Sequence, residues 1–225
     1  MALPVARRLA LASVTTMAAL VLWVPAAAVA RVPPPEGSGL ELGLRVGIEV
    51  PTGTPVRNTR TDLSYIVAKA VPIWAEVGWR FNKYLSVSAS YQAGFGFIDY
   101  CDVASECQVR DDRLTFHGTA RFDTDGVALP WLSVGAGFEW FRLQESGRYQ
   151  ARLLVLGTIS ADLQAGLDFV PARGWVTGPF LSFAVGRFSS VSGTIMDYTG
   201  SVTYPESNRS RHHWSQFGFR TLYCF

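Results

Sequence analysis

The strongest constraint on this chain is a period-two alternation that recurs along almost its whole length beyond residue 39. Between Leu40 and Val50, the apolar set Leu40, Leu42, Leu44, Val46, Ile48 and Val50 interleaves without a fault with Glu41, Gly43, Arg45, Gly47 and Glu49. Successive side chains of an extended strand point to opposite faces, so this segment predicts a strand with one apolar and one polar face. Residues 71–81 repeat it, with Val71, Ile73, Ala75, Val77, Trp79 and Phe81 against Trp74, Glu76, Gly78 and Arg80. The pattern returns over 85–97, 113–122, 131–141 and 153–168, and less regularly over 180–187. In 153–168 it assigns Ile159 to the apolar face and Thr158 and Ser160 to the polar one. The closing segment, 213–225, sets Phe217, Phe219, Thr221, Tyr223 and Phe225 against Gln216, Gly218, Arg220, Leu222 and Cys224.

Two regularities turn about eight such strands into an architecture. The connections alternate between long polar segments (51–70, 98–112, 142–152, 189–211) and short turns such as Asn82-Lys83 and 123–126. Long loops on one side and tight turns on the other are how outer-membrane barrels separate outside from periplasm. Charge is the second regularity. Glu41, Arg45, Glu49, Glu76, Arg80, Arg113, Arg121, Glu139, Asp162, Asp168 and Arg220 all share the polar parity, and the other parity carries no charge before Arg187. A basic residue facing lipid at the bilayer midplane costs about 2–4 kcal/mol, so a lipid-facing surface excludes charge in this way. About ten residues at roughly 3.3 Å each, tilted about 40°, also cover the height of an outer-membrane apolar band. The fold expected is all-β, an antiparallel up-and-down transmembrane β-barrel of about eight strands. Alternation alone leaves open a secreted barrel of lipocalin type, with the apolar parity inside.

The N-terminus reads as a secretory signal: Arg7 and Arg8, an apolar run from Leu9 to Val24, then Ala28-Val29-Ala30 as the cleavage site. The organisation expected is a cleaved signal over 1–30, a flexible leader over 31–39 and a barrel over 40–225, placed in the outer membrane. Of 20 Lys+Arg and 18 Asp+Glu, the signal removes two arginines and no acids, leaving eighteen of each. A neutral mature chain argues against a nucleic-acid partner. Hydrophobic content of 48% without any long apolar run after the signal argues against helical membrane spans. Cys101 and Cys107, in a polar segment of an exported chain, suggest a loop disulfide, with Cys224 left as a thiol.

With the export signal, Gly43 and Gly47 in the first strand, Pro130-Trp131-Leu132-Ser133-Val134-Gly135-Ala136-Gly137 in the fifth and the aromatic end at Phe225, the chain resembles the small eight-stranded outer-membrane barrels of OmpA-like type. The resemblance covers residues 40–225. It implies a monomer in outer-membrane lipid, inserted by the barrel assembly machinery, with Tyr223 and Phe225 as the assembly signal. Gly218 stands seven residues before Phe225, where the family often places a glycine five before its terminal aromatic.

Glu41, Arg45, Glu49, Glu76, Arg80, His117, Arg121, Glu139, Asp162, Gln216 and Arg220 are the candidate site, a polar network facing the lumen. An eight-stranded barrel is just wide enough for side chains to fill, so near-balanced charge predicts a plugged lumen rather than a selective pore. A passive channel for small solutes is the alternative. His213 and Ser215 share one strand face in the His-x-Ser arrangement of lipid A deacylase barrels, but no acid follows Ser215, so no catalysis is expected. No cofactor or metal site is expected either. Trp74, Trp79, Trp131, Trp140, Trp175 and Trp214 lie near strand ends, where interfacial girdle residues sit. Loops rich in Ser, Thr and Tyr could bind an external ligand.

Overall fold

The computed structural model describes residues 37–54, 63–98, 106–122, 128–146, 150–195, 198–203 and 211–225. The expected signal over 1–30, most of the leader and Cys101 lie outside the described residues. Among the described residues nine strands form: β1 (Gly39–Gly53), β2 (Lys69–Arg80), β3 (Leu85–Phe97), β4 (Glu106–Arg121), β5 (Ala128–Ser146), β6 (Ala151–Ala172), β7 (Trp175–Ile195), β8 (Tyr198–Thr203) and β9 (Arg211–Cys224). A single helical turn, α1 (Leu63–Ile66), lies in the first long connection.

β1 to β7 pair antiparallel in sequence order, β7 pairs with β9, and β9 returns to β1, which closes a barrel of eight strands. Partners followed once around the wall run from Gly39 through Arg80, Ser86, Thr119, Ser133, Gln164, Ser182 and Gln216 to Glu49, ten positions along β1 from the start. That stagger sets the strand tilt and gives an interior that side chains alone can fill. The C-terminal ends of β2, β4 and β6 lie at the same end of the barrel as Gly39 and Phe225, whose amide donates to the Leu40 carbonyl at 3.0 Å.

Outside residues 153–160 the expected parity is the observed one. Leu44, Val134, Leu163, Leu181 and Phe217 on the outer wall are each more than half exposed, while Glu41, Arg45, Glu49, Arg80, Glu139, Asp162 and Arg220 are buried inside. A soluble barrel with the apolar parity inside is therefore excluded.

Three expectations are corrected. β4 to β7 run beyond their expected limits at the loop end, and part of the supposed loop 189–211 forms a β7–β8 hairpin. Above the membrane both faces of a strand meet water, so alternation no longer marks it. Within β6, the step from Asp162↔Gly135 to Ile159↔Gly137 is a bulge, which reverses parity on its loop-end side. Ile159 thus turns inward and is buried, whereas Thr158 and Ser160 face outward. Finally, Trp74, Trp131 and Trp214 are not girdle residues but fill the lumen, while Trp79 and Trp175 are about half exposed on the outer wall.

Small residues make room for those rings. A Cβ on Gly166 would stand 2.6 Å from the Trp131 ring, and one on Gly186 would stand 2.5 Å from the His212 ring. Each glycine lies across the ladder from, or beside, the ring it admits.

Candidate functional site: a filled polar lumen

Three tiers of side chains cross the lumen from the turn end to the loop end. In the lowest, Glu41 of β1 accepts from Arg121 of β4 at 2.9 Å across the barrel and from Arg80 of β2 at 3.4 Å. Arg80 also donates from Nε to the Gly37 carbonyl at 2.7 Å and from Nη2 to the Phe225 main-chain oxygen at 3.3 Å. Arg220 pairs with Asp168, its Nε at 2.9 Å, and its guanidinium lies 3.4 Å from the centre of a Trp131 ring. Such stacking lets a planar cation be desolvated without losing all its electrostatic partners. The Cys224 thiol, free and buried, lies 3.6 Å from Glu41.

In the middle tier, Arg45 binds Glu76 on the neighbouring strand, Nε at 2.9 Å, and reaches Gln164 on β6 across the lumen. Trp74 and Phe180 flank its guanidinium at 4.9 and 5.6 Å. Beside it, Asp162 contacts His117 Nε2 at 2.9 Å and accepts from Ser182 at 2.8 Å and Gln164 at 2.9 Å.

The upper tier is centred on Arg113, which pairs with Glu49, with Asp111 and, at 3.6 Å, with Glu139. Gln92 donates to Glu49 at 3.0 Å. Glu139 accepts from Trp214 Nε1 at 2.7 Å and contacts His212 Nε2 at 2.7 Å, both from β9 on the opposite wall. The Trp214 ring lies 4.3 Å from the Arg113 guanidinium. Above this tier sits an apolar cap: Leu63 of α1 and Val67 pack with Val109, Phe141, Ile159 and Phe188, all nearly inaccessible. Residues 63–68 of the first connection therefore lie in the mouth, held by Val67 N to Leu63 O at 2.9 Å and Ala68 N to Phe97 O at 3.0 Å.

All eleven network residues named from sequence face this interior, but they do not act equally. Gln216 is buried and its amide makes no hydrogen bond to a described residue. Asp111, His212 and the three inward tryptophans are additional members. Parity held the signal: Asp111 is two residues from Arg113, His212 is four from Gln216, and Trp74 is two from Glu76. His213 and Ser215 lie on the outer wall, where the His213 ring stacks on Phe183 at 5.5 Å. Cys107, at the loop end of β4, is disulfide-bonded. Among the described residues no group of three His, Cys, Asp or Glu side chains could hold a metal ion.

What this arrangement does chemically is pair and exclude. Among the described residues the lumen sets seven carboxylates against five guanidiniums and two imidazoles. Salt bridges and hydrogen bonds span it at every tier, and none of these tiers presents a nucleophile with a free base.

No family model matches the chain, and no curated protein matches it. Solved structures do. Neisserial surface protein A matches with a TM-score of 0.50 at 13% identity, over 82% of this chain and 98% of that one. A major outer membrane protein from Thermus thermophilus matches with a TM-score of 0.53 at 9% identity, over 83% of this chain and 99% of that one. The fold is that of the small eight-stranded outer-membrane barrels. At such identities the likeness speaks for the fold alone.

Proposed function

We propose that the chain is an integral outer-membrane barrel of structural or surface-interaction type, exported by cleavage after Ala30, monomeric, and closed to solutes. The observation that carries this reading is the lumen. Cross-barrel contacts from Arg121 to Glu41, Arg45 to Gln164, Arg113 to Glu49 and Trp214 to Glu139 block the axis at successive heights under an apolar cap. Buried pairs of this kind resist opening, because separating one leaves a charge unpaired at low dielectric. What remains for interaction is the outer wall, in contact with lipid, and the loop end, where β5–β8 project and an external ligand could bind.

The test is conductance in planar bilayers of protein that migrates in the heat-modifiable manner of a folded barrel. Absence of single-channel steps is the expected result, and reproducible steps would establish the passive-channel reading instead. The protein carries out no catalysis in this proposal: incubation with lipid A or phospholipid releases no acyl chain, whether Ser215 is present or replaced by Ala. Tyr223 and Phe225 serve the assembly machinery as a recognition end, with Phe225 exposed at the turn end.

A further inference from the structure

The outer wall is free of charge over most of its height, then becomes cationic within a narrow band at the loop end. On the outward parity of the described strands, every charged residue lies in this band: Lys69, Arg110, Arg142, Arg152, Arg187 and Arg211 against Asp112 and Glu106. Two features make it more than a solvated rim. Arg187 and Arg211 are direct cross-strand partners, and so are Arg110 and Arg142. Like charges placed directly opposite destabilise a sheet unless an anion lies between them. One such anion is internal. Asp112, nearly inaccessible on the outer wall, is gripped by Arg110 Nε at 2.8 Å, Arg142 Nη1 at 2.9 Å and the Tyr91 hydroxyl at 2.7 Å, leaving two guanidiniums on one carboxylate. Both arginines remain substantially exposed, at 42% and 54% of their side chains. Arg187 and Arg211 have no ion pair among the described residues.

The position of the band decides what kind of anion it can take. These arginines do not crown the loops. They stand one outward position towards the loop end from side chains of the outer wall: Trp140 below Arg142, Val185 below Arg187, His213 below Arg211. A ligand that meets them from the membrane side must bear hydrocarbon against the wall and a negative group above it. Arginine binds phosphate through two parallel N–H donors, and paired guanidiniums on adjacent strands can share one such group. We propose that the Arg187–Arg211 pair, with Arg110–Arg142 as a second and partly neutralised subsite, binds the phosphate of an anionic membrane lipid at the outer wall. This rests on the membrane-barrel reading but goes beyond it, because a barrel needs no lipid preference to sit in a bilayer.

The experiment measures electron paramagnetic resonance of spin-labelled phosphatidic acid and spin-labelled phosphatidylcholine, each at trace level in phosphatidylcholine nanodiscs holding the folded protein. Both leaflets contain the same lipid, so orientation does not affect the result. The wild type is expected to hold phosphatidic acid in the motionally restricted shell about fivefold or more over phosphatidylcholine, the factor one well-placed cation supplies at a headgroup, and to lose that preference as salt rises. Arg187→Gln/Arg211→Gln should remove most of it, Arg110→Gln/Arg142→Gln less, and Lys69→Gln, on β2 with β1 between it and β9, little. Equal association of both lipids with wild type, or a preference unchanged in the Arg187/Arg211 double variant, overturns the proposal. Absence of any restricted phosphatidylcholine overturns the membrane reading beneath it. Should the double variant fail to fold, wild-type selectivity that survives molar salt overturns the phosphate contact by itself.

Discussion

Replacing Arg113 by Met is the sharpest test of how the lumen is held together. Arg113 is almost wholly buried and faces three carboxylates, Glu49, Asp111 and Glu139, with Trp214 stacked over it. Met keeps much of the side-chain volume, so the change is chiefly one of charge. At an effective dielectric of about 20, each pair near 4 Å contributes about 4 kcal/mol of attraction, and much of this is offset by the cost of taking the ions out of water. What survives the subtraction is the measured penalty for removing one partner of a buried pair, about 3–5 kcal/mol. The penalty here should fall at the upper end, because His212 and Trp214 bind only Glu139, leaving Glu49 with Gln92 alone. In urea, with a slope of about 2 kcal/mol per molar, the unfolding midpoint in lipid vesicles should fall by roughly 2 M. The decisive arm is rescue: Arg113→Met with Asp111→Asn and Glu49→Gln removes the stranded charges and should recover most of the loss. If the single variant unfolds with the wild type, or the neutralised triple variant unfolds no later than the single one, the upper tier is not an electrostatic lock.

Other perturbations separate the remaining parts of the structure. Arg80→Gln removes donors to Gly37, Glu41 and the Phe225 main chain, so it should cost about 1–3 kcal/mol and broaden heat-modifiable migration through fraying of the β1–β9 seam. Gly166→Val drives a methyl group into the Trp131 ring and should cost about 1–3 kcal/mol, with Trp131 fluorescence shifted as its stack with Arg220 is lost. Leu63→Asp puts a charge into the apolar cap. Limited proteolysis within the first connection should accelerate while the global unfolding midpoint barely moves, because the cap opens without the wall. Deleting Phe225 should lower the amount of protein in the outer membrane far more than it lowers the stability of refolded barrel, and normal membrane levels would refute its role in assembly.

These tests fall unevenly across what the sequence made visible. The wall of β1 to β3 was legible because lipid enforces it: a charge on Leu44 or Val77 would face hydrocarbon, so parity is kept strictly and the polar set can only be the lumen. The tiers within the lumen were legible as membership but not as pairing, since which acid meets which arginine depends on the stagger of the barrel. Arg45 and Gln164 are neighbours only because the wall closes ten positions out of step. Tryptophan misled, because its amphipathic ring suits an interface as well as a polar core. Parity, not proximity to a strand end, decides which side such a ring takes, as Trp131 is two residues from inward Ser133 and Trp214 two from Gln216.

The bulge at Ser160 is where alternation itself stops being a guide, and it changes what the upper lumen can be. Without it Ile159 would face lipid and Thr158 would take a lumen position. With it, Ile159 joins Phe141, Phe188 and Leu63 over the carboxylates of the upper tier. One inserted residue therefore converts the mouth of a polar tube into an apolar lid, which raises the cost of any water or ion reaching Glu139 and Arg113 from the loop end. Nothing in the composition of residues 153–168 marks the insertion, because Ser160 and Ala161 are small enough to sit on either face. The closure of this barrel thus rests on a backbone irregularity as much as on its salt bridges.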